Sequence, residues 1–249
     1  MFDKGAGGMN IALIFAGGTG QRMNSRTKPK QFLELNGKPI LIHTLEHFSD
    51  HPEIDGIVVV CLKDWIPTLR EMADRFRLRK LRWIAEGGAT GQESIRNGLY
   101  TLERDESVPS DSAVLIHDGV RPLINEDVIS RNIAAAREFG NAITVTPATE
   151  TIIQVNAGRE VSDILDRSVC MLARAPQTFV LRDILDAHHR AEAEGYTEAI
   201  DSATLMTHYG AVLHIVEGPV ENIKITTPAD FYIFRAITEA KENSQIWGL

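Results

Sequence analysis

The chain has 249 residues, a formal net charge of −8, 43% hydrophobic residues and 24% charged residues. That length is ample for a full core in one large α/β domain or two small ones; the acidic balance argues against a chain devoted to nucleic acid, yet leaves room for a local basic pocket. No apolar run approaches the ~20 residues that span a bilayer, and Cys61 and Cys170 match neither a metal-ligand spacing nor a disulfide framework, which suits a reducing cytoplasm.

The leader MFDKGAGG, residues 1–8, lacks the apolar stretch of a signal peptide and reads as a flexible extension or expression remnant. From Met9 onward, short continuous apolar runs predict buried strands at Ile11–Ala16, Ile57–Leu62, Ala113–His117 and Ala142–Thr146. Helix-like segments lie between them at Ile40–Phe48, Ile66–Phe76, Gln92–Leu102 and Glu126–Phe139. Continuous apolar strands alternating with helices predict a doubly wound, mainly parallel α/β sheet, whose ligands bind beyond the carboxyl ends of the strands. The rhythm breaks over residues 149–175, where TIIQVNAGREVSDILD predicts a hairpin turning at Asn156-Ala157-Gly158. Two short strands bury little by themselves, so this is either a packed edge hairpin or an arm that packs on a second subunit. The α/β pattern then resumes with helices Leu181–Glu194 and Ser202–His208, strands Val212–Val216 and Asn222–Ile225, and helix Pro228–Lys241. One domain over residues 9–249, with a projecting β-arm, is the expectation.

Three stretches carry candidate chemistry. The first is Asn10 to Lys30, where Gly17, Gly18 and Gly20 follow the first strand and Arg22, Lys28 and Lys30 follow the glycines. Glycines let backbone N–H groups approach an anion and the cations neutralise it, which points to a nucleoside triphosphate. Neither G-x-G-x-x-G nor G-x-x-x-x-G-K-[ST] is present, which removes the dinucleotide fingerprint and the P-loop. The second is HDGVRP, His117 to Pro122: Asp118 can hold Mg²⁺, and Arg121 either pairs with a phosphate or ties the loop down through Asp118. The third is ENIKIT, where Lys224 interrupts apolar residues and is either directed at a partner or a guard against strand-edge aggregation. His43-Thr44-Leu45-Glu46-His47 matches a metalloprotease spacing, but short patterns of this kind recur by chance on solvent-facing helices.

In combination, AGGTGQRM, PKQFLELNGKPILIHTLE, the glycines before Ser94, HDGVRP, APQTF and ENIKITTPAD resemble the cytidylyltransferase family of D-ribitol-5-phosphate and 2-C-methyl-D-erythritol 4-phosphate cytidylyltransferases, over about Ile11 to Ala236. The resemblance implies a Rossmann-like sheet of the nucleotide-diphospho-sugar transferase type, and transfer of CMP from CTP to a polyol phosphate with release of pyrophosphate. It implies that Arg22, Lys30 and Lys224 act on the triphosphate and reacting phosphorus, and that Asp118 holds Mg²⁺ and contacts CTP. Ala16, Gly17, Gly18, Gly20, Gly87 and Ser94 are then the remaining CTP-binding positions, and Arg121 sits at the substrate end. Thr151 and Arg167, on the arm, would bind substrate across a homodimer. Ala175 and Ile200 depart from family positions that often carry Thr, which bears on the acceptor phosphate, with Arg174 as a compensating cation. The FAGG loop, KQFLELNGKPILIHTLE and Asp64-Trp65 resemble the ribitol-phosphate branch, which feeds CDP-ribitol to teichoic acid or capsule synthesis, more closely than the branch serving isoprenoid biosynthesis. Transfer of another nucleotide to a sugar 1-phosphate, and a catalytically silent nucleotide-binding module, are the competing classes.

Overall fold

The computed structural model describes residues 8–18 and 28–247, and side chains as far as 243. In chain order the elements are β1 (Asn10–Ala16), β2 (Glu34–Leu35), β3 (Lys38–Pro39), α1 (Ile40–Asp50), β4 (Gly56–Cys61), α2 (Ile66–Arg75), β5 (Leu81–Glu86), α3 (Gly91–Glu103) and β6 (Ala113–Asp118). They continue with α4 (Glu126–Phe139), β7 (Asn141–Pro147), β8 (Ile153–Val155), β9 (Val161–Ile164), β10 (Met171–Val180), α5 (Leu181–Glu194), α6 (Ser202–His208), β11 (Ile215–Glu217) and α7 (Pro228–Trp247).

A seven-stranded sheet in the order β11-β7-β10-β6-β1-β4-β5 forms the centre. Every neighbouring pair is parallel except the two made by β10, which runs antiparallel to both β6 and β7. Alternate residues of β1 explain the two helical layers. Ile11 and Leu13 join Leu99, Leu102 and Ile184 on one face, and Ala12 and Ile14 join Leu41, Leu45 and Ile129 on the other. Both faces are covered, so the central strands are apolar throughout, as parallel strands buried on both sides must be. The chain leaves β1 toward β4 on one side and returns to β6 on the other. That reversal opens a crevice at the carboxyl ends of β1 and β6.

The helix boundaries follow local chemistry. Asn125 caps α4 by accepting from the Val128 amide, and Gly140, with φ of 83°, ends it in the left-handed region. Thr90 caps α3 by accepting from Glu93 N, while Glu93 Oε2 accepts from Ala89 N, a reciprocal arrangement that fixes the loop before α3.

Besides the short pair β2 and β3, four stretches differ from the sequence expectation. β5 is an additional strand, hidden because Arg82 and Glu86 make it a half-buried edge rather than an apolar run. β10 starts at Met171 inside the stretch expected to be arm; Arg174 and Pro176 mask it, at a register shift between Ala173 and Gln177. β11 covers Ile215–Glu217 rather than Val212–Val216. Residues 222–225 form no strand: Asn222 and Ile225 are instead tied into the loop after β6, through Arg121 Nη1 to Asn222 O and Ile225 N to Val120 O.

β8 and β9 form the expected hairpin, with its turn closed by Asn156 and Glu160. Ile153 pairs with Ile164 and Val155 with Val161, so these four side chains share one face. All four are exposed.

Candidate active site

The crevice holds a buried charge cluster. Asp118 ends β6, its backbone held beside Phe15 of β1, with its side chain almost wholly buried. Its Oδ2 accepts from Arg121 Nε at 2.7 Å and its Oδ1 lies 2.6 Å from Lys224 Nζ. Burial alone would raise the carboxyl's pKa; Arg121 and then Lys224 overcome it and hold the group down at about 2. Arg121 is buried too and also donates to Asn222 O at 2.9 Å. Lys224 keeps 41% of its side chain exposed, so its ammonium stands at the boundary between this cluster and the open cleft.

The glycine loop forms the opposite wall. Gln31, buried in the short turn of 3₁₀-helix after the loop, donates from Nε2 to Ala16 O at 2.6 Å and to Gly18 O at 3.2 Å, and so fixes the loop's course from below. Gly17 packs against the start of α3: a Cβ there would stand 2.8 Å from Ser94 Oγ. That hydroxyl accepts from Gly88 N and donates to Thr90 O, joining the glycines after β5 to the helix start. Gly17→Ala is therefore expected to displace Ser94 Oγ from its bonds to Gly88 N and Thr90 O and to cost about 1 kcal/mol of stability, the loss of roughly one good hydrogen bond. Urea unfolding checks this; an unchanged stability would contradict the packing role.

Together these walls enclose a cleft of about 570 Å³, lined by Ala16, Gly17, Gly18, Lys30, Ser94, Asp118, Lys224 and Thr226 among others. The amino end of α3 reaches it at Gly91, where the positive end of the helix dipole favours an anion. Lys30 donates from Nζ to Ile225 O at 3.1 Å, which places its ammonium beside the Lys224 segment. Asp118 is the one carboxylate on this lining among the described residues. A magnesium site of the kind that uses one carboxylate and substrate phosphate oxygens needs no more than that.

Of the sequence-predicted residues, Ala16, Gly17, Gly18, Lys30, Ser94, Asp118 and Lys224 converge on this cleft. Gly87 sits just behind it, its amide donating to Cys61 O and its Cα facing Gly17, while Gly88 takes the lining position. Arg22 and Gly20 lie outside the described residues. Arg121 is engaged by Asp118 and Asn222 rather than open to solvent, which is the loop-tying alternative raised from sequence. Thr151 and Arg167 are exposed on the arm, where Arg167 Nη1 donates to Thr149 O, and neither lines the cleft of its own chain. Gln31 was missed by sequence reasoning; a glutamine between a lysine and a phenylalanine signals nothing until the turn places it under the glycines. The histidines of α1 and its C-cap, His43, His47 and His51, each hydrogen-bond through Nε2 to a backbone carbonyl, of Leu35, Pro122 and Glu126. No group of three metal-ligating side chains occurs among the described residues.

The family model described as IspD: 2-C-methyl-D-erythritol 4-phosphate cytidylyltransferase matches residues 10–240. The chain belongs to this cytidylyltransferase family. It is 54% identical over 240 residues to the ribitol-5-phosphate cytidylyltransferase of Vibrio parahaemolyticus, covering 96% of this chain and all of the relative. It is 51% identical over 241 residues to the ribitol-5-phosphate cytidylyltransferase of Streptococcus agalactiae serotype III, covering 97% of this chain and all of that one. Among solved structures, 4-diphosphocytidyl-2C-methyl-D-erythritol synthase from Anaerococcus prevotii superposes with a TM-score of 0.80 at 25% identity, covering 93% of this chain and 96% of that one. The cytidylyltransferase fold and the expected enzyme class, a nucleotidyltransferase, thus stand together on one chain, and the silent-module alternative falls away.

Proposed function

We propose that this enzyme transfers CMP from CTP to D-ribitol 5-phosphate, giving CDP-ribitol and pyrophosphate. The observation that carries the reading is the Asp118–Lys224 pair facing the glycine loop across one cleft, in a chain with half its residues identical to relatives named for ribitol 5-phosphate.

The reaction joins a phosphate oxygen of the acceptor to the α-phosphorus of CTP and breaks the bond from that phosphorus to the oxygen bridging the β-phosphate. The nucleophile belongs to the substrate, so no serine, cysteine or histidine nucleophile is required. The protein's task is to hold two polyanions together and to stabilise charge on the reacting phosphorus and departing pyrophosphate. Lys30 and Lys224 supply neighbouring cations to the cleft, and Arg22 is proposed to join them. Gly17, Gly18 and the Ser94-anchored glycines after β5 offer backbone groups to the nucleotide. Asp118 would hold Mg²⁺, which would supply positive charge to the phosphates. Lys224 is proposed to leave Asp118 for a phosphate oxygen of the substrate.

The arm supports a homodimer as part of this proposal. Its four exposed apolar side chains, Ile153, Val155, Val161 and Ile164, form a face that nothing among the described residues covers, and Thr151 and Arg167 flank it in sequence. In the proposed dimer these two residues serve the acceptor site of the partner subunit. Changing Val155 and Ile164 together to Asp is expected to convert the dimer to monomer in size-exclusion chromatography with light scattering; a wild-type monomer, or an unshifted variant, would contradict this. The enzyme is proposed to work in the cytoplasm, supplying CDP-ribitol to teichoic acid or capsule polymers; no described helix is long and apolar enough to cross a membrane.

The acceptor is tested by turnover with D-ribitol 5-phosphate and with 2-C-methyl-D-erythritol 4-phosphate at equal CTP and Mg²⁺. A kcat/KM at least about tenfold higher with the ribitol compound is expected, within the range that a few pocket contacts can produce. The reverse preference would assign the chain to the methylerythritol branch.

A further inference from the structure

Lys224 gives up its contact with Asp118 in the proposed reaction, so its aim at the cleft has to come from the backbone that carries it. That backbone is a loop with no sheet partner. Lys224 and Thr226 line the cleft, while Ile225 between them is wholly buried in a core cluster with Leu35, Val120 and Phe234. A small rotation of the segment about its own axis would carry Lys224 away from the phosphates.

The segment is anchored at both ends. Before Lys224, the buried Asn222 donates from Nδ2 to Ala175 O at 2.8 Å, and its carbonyl accepts from Arg121 Nη1. After Lys224 the anchor is Asp230, in the first turn of α7. Asp230 and Thr227 form the reciprocal pair of a helix start: Asp230 N donates to Thr227 Oγ1, and Thr227 donates from N at 2.7 Å and Oγ1 at 3.0 Å to Asp230 Oδ2. Helix capping needs nothing more. Yet the same Oδ2 also accepts from Thr226 N at 2.8 Å and Thr226 Oγ1 at 2.9 Å, and Thr226 lies outside the helix on the cleft wall. Partial burial would raise the Asp230 carboxyl's pKa; the bonds from Thr226 and Thr227 outweigh it and lower it. The carboxylate is therefore ionised, and its bonds are of the stronger, charge-assisted kind. Asp230 itself does not line the cleft.

We propose that Asp230 is a positioning residue for nucleotidyl transfer: by holding Thr226 from behind, it fixes the direction in which Lys224 faces the reacting phosphates. This role rests on the part given to Lys224 above and supplies the source of its alignment.

The test separates alignment from helix capping. Asp230→Ala is expected to lower kcat about tenfold, within the ~10²-fold that a 1 Å misplacement can cost, with KM for CTP within about twofold of wild type. Asp230→Asn, which keeps one acceptor oxygen, should recover part of the loss. In a Lys224→Ala background, Asp230→Ala should lower kcat by less than about twofold, because the cation it aligns is gone. A cap with no further role predicts a lower thermal midpoint and an unaltered kcat well below that midpoint. A kcat within twofold of wild type in Asp230→Ala would thus overturn the proposal, as would a full tenfold loss repeated in the Lys224→Ala background. If the alanine variant fails to fold, the same cycle with Asp230→Asn decides, with about a threefold loss expected alone and none beside Lys224→Ala. A wild type that releases no pyrophosphate with CTP and either polyol phosphate would remove the proposed function and this role with it. An active wild type with an additive cycle would remove the role alone.

Discussion

Lys224→Ala is expected to lose about 10²–10³-fold in kcat, the scale of removing one preorganised charge-stabilising donor from a water-poor site. KM for CTP should change little, because the loss falls on the transition state rather than on ground-state binding. The expectation rests on placement. Lys224 Nζ lies 2.6 Å from Asp118 Oδ1, yet 41% of the side chain is exposed, so the ammonium is anchored without being locked away. A flexible four-carbon stem lets it leave the carboxylate for a phosphate oxygen. Lys224→Arg should recover little, since a planar fork replaces a compact point charge. Pyrophosphate-release kinetics at saturating substrates make the measurement; a kcat within twofold of wild type would remove Lys224 from the reaction centre.

The second large effect is on stability. Asp118→Asn leaves the Arg121 guanidinium buried, still bonded to Asn222 O but without a charge partner. Breaking a buried pair from one side costs roughly 3–5 kcal/mol. For a chain of this length that is about 10 °C or more in thermal midpoint. Adding Arg121→Met to Asp118→Asn should return most of the stability, because replacing both charges avoids an orphaned one. Activity should stay lost, since the proposed metal ligand is still missing. The pH dependence has a defined sign. The Asp118 carboxyl sits at about 2 in the folded protein, against about 3.9 when unfolded. Its contribution is thus complete above about pH 4 and is lost as pH falls toward 2. Urea unfolding of wild type and Asp118→Asn should show a stability gap that is constant above about pH 4 and narrows below it. A gap independent of pH would contradict the pairing.

Much of the fold was legible because the sequence speaks locally. Glu126–Phe139, Leu181–Glu194 and Ser202–His208 are helices with the bounds expected from the sequence, and the four apolar runs are all strands of the central sheet. Where the reading failed, a long-range constraint outweighed the local signal. β10 carries an arginine and a proline, yet pairing on both edges holds it in the middle of the sheet. Lys224 was expected on a strand; it lies in a loop tied down by Arg121 and Val120. The same division holds for the site. Glycines and cations after the first strand announced a phosphate cleft, but the contact of Asp118 with Lys224 joins residues far apart in the chain, and no local spacing encodes it. Asp230 reads as an ordinary helix-start acid. Its hold on Thr226 gains meaning only when that residue is seen on the cleft wall beside Lys224.

The central claim is that one cleft joins the α-phosphorus of CTP to the phosphate of ribitol 5-phosphate. Phosphorus NMR of the purified enzyme with CTP, Mg²⁺ and D-ribitol 5-phosphate tests it most directly. The expected result is loss of the ribitol monophosphate signal with matching growth of the two diphosphate resonances of CDP-ribitol and one equivalent of pyrophosphate, and far slower conversion when UTP replaces CTP. An unchanged acceptor signal, or equal conversion with UTP, would contradict the account.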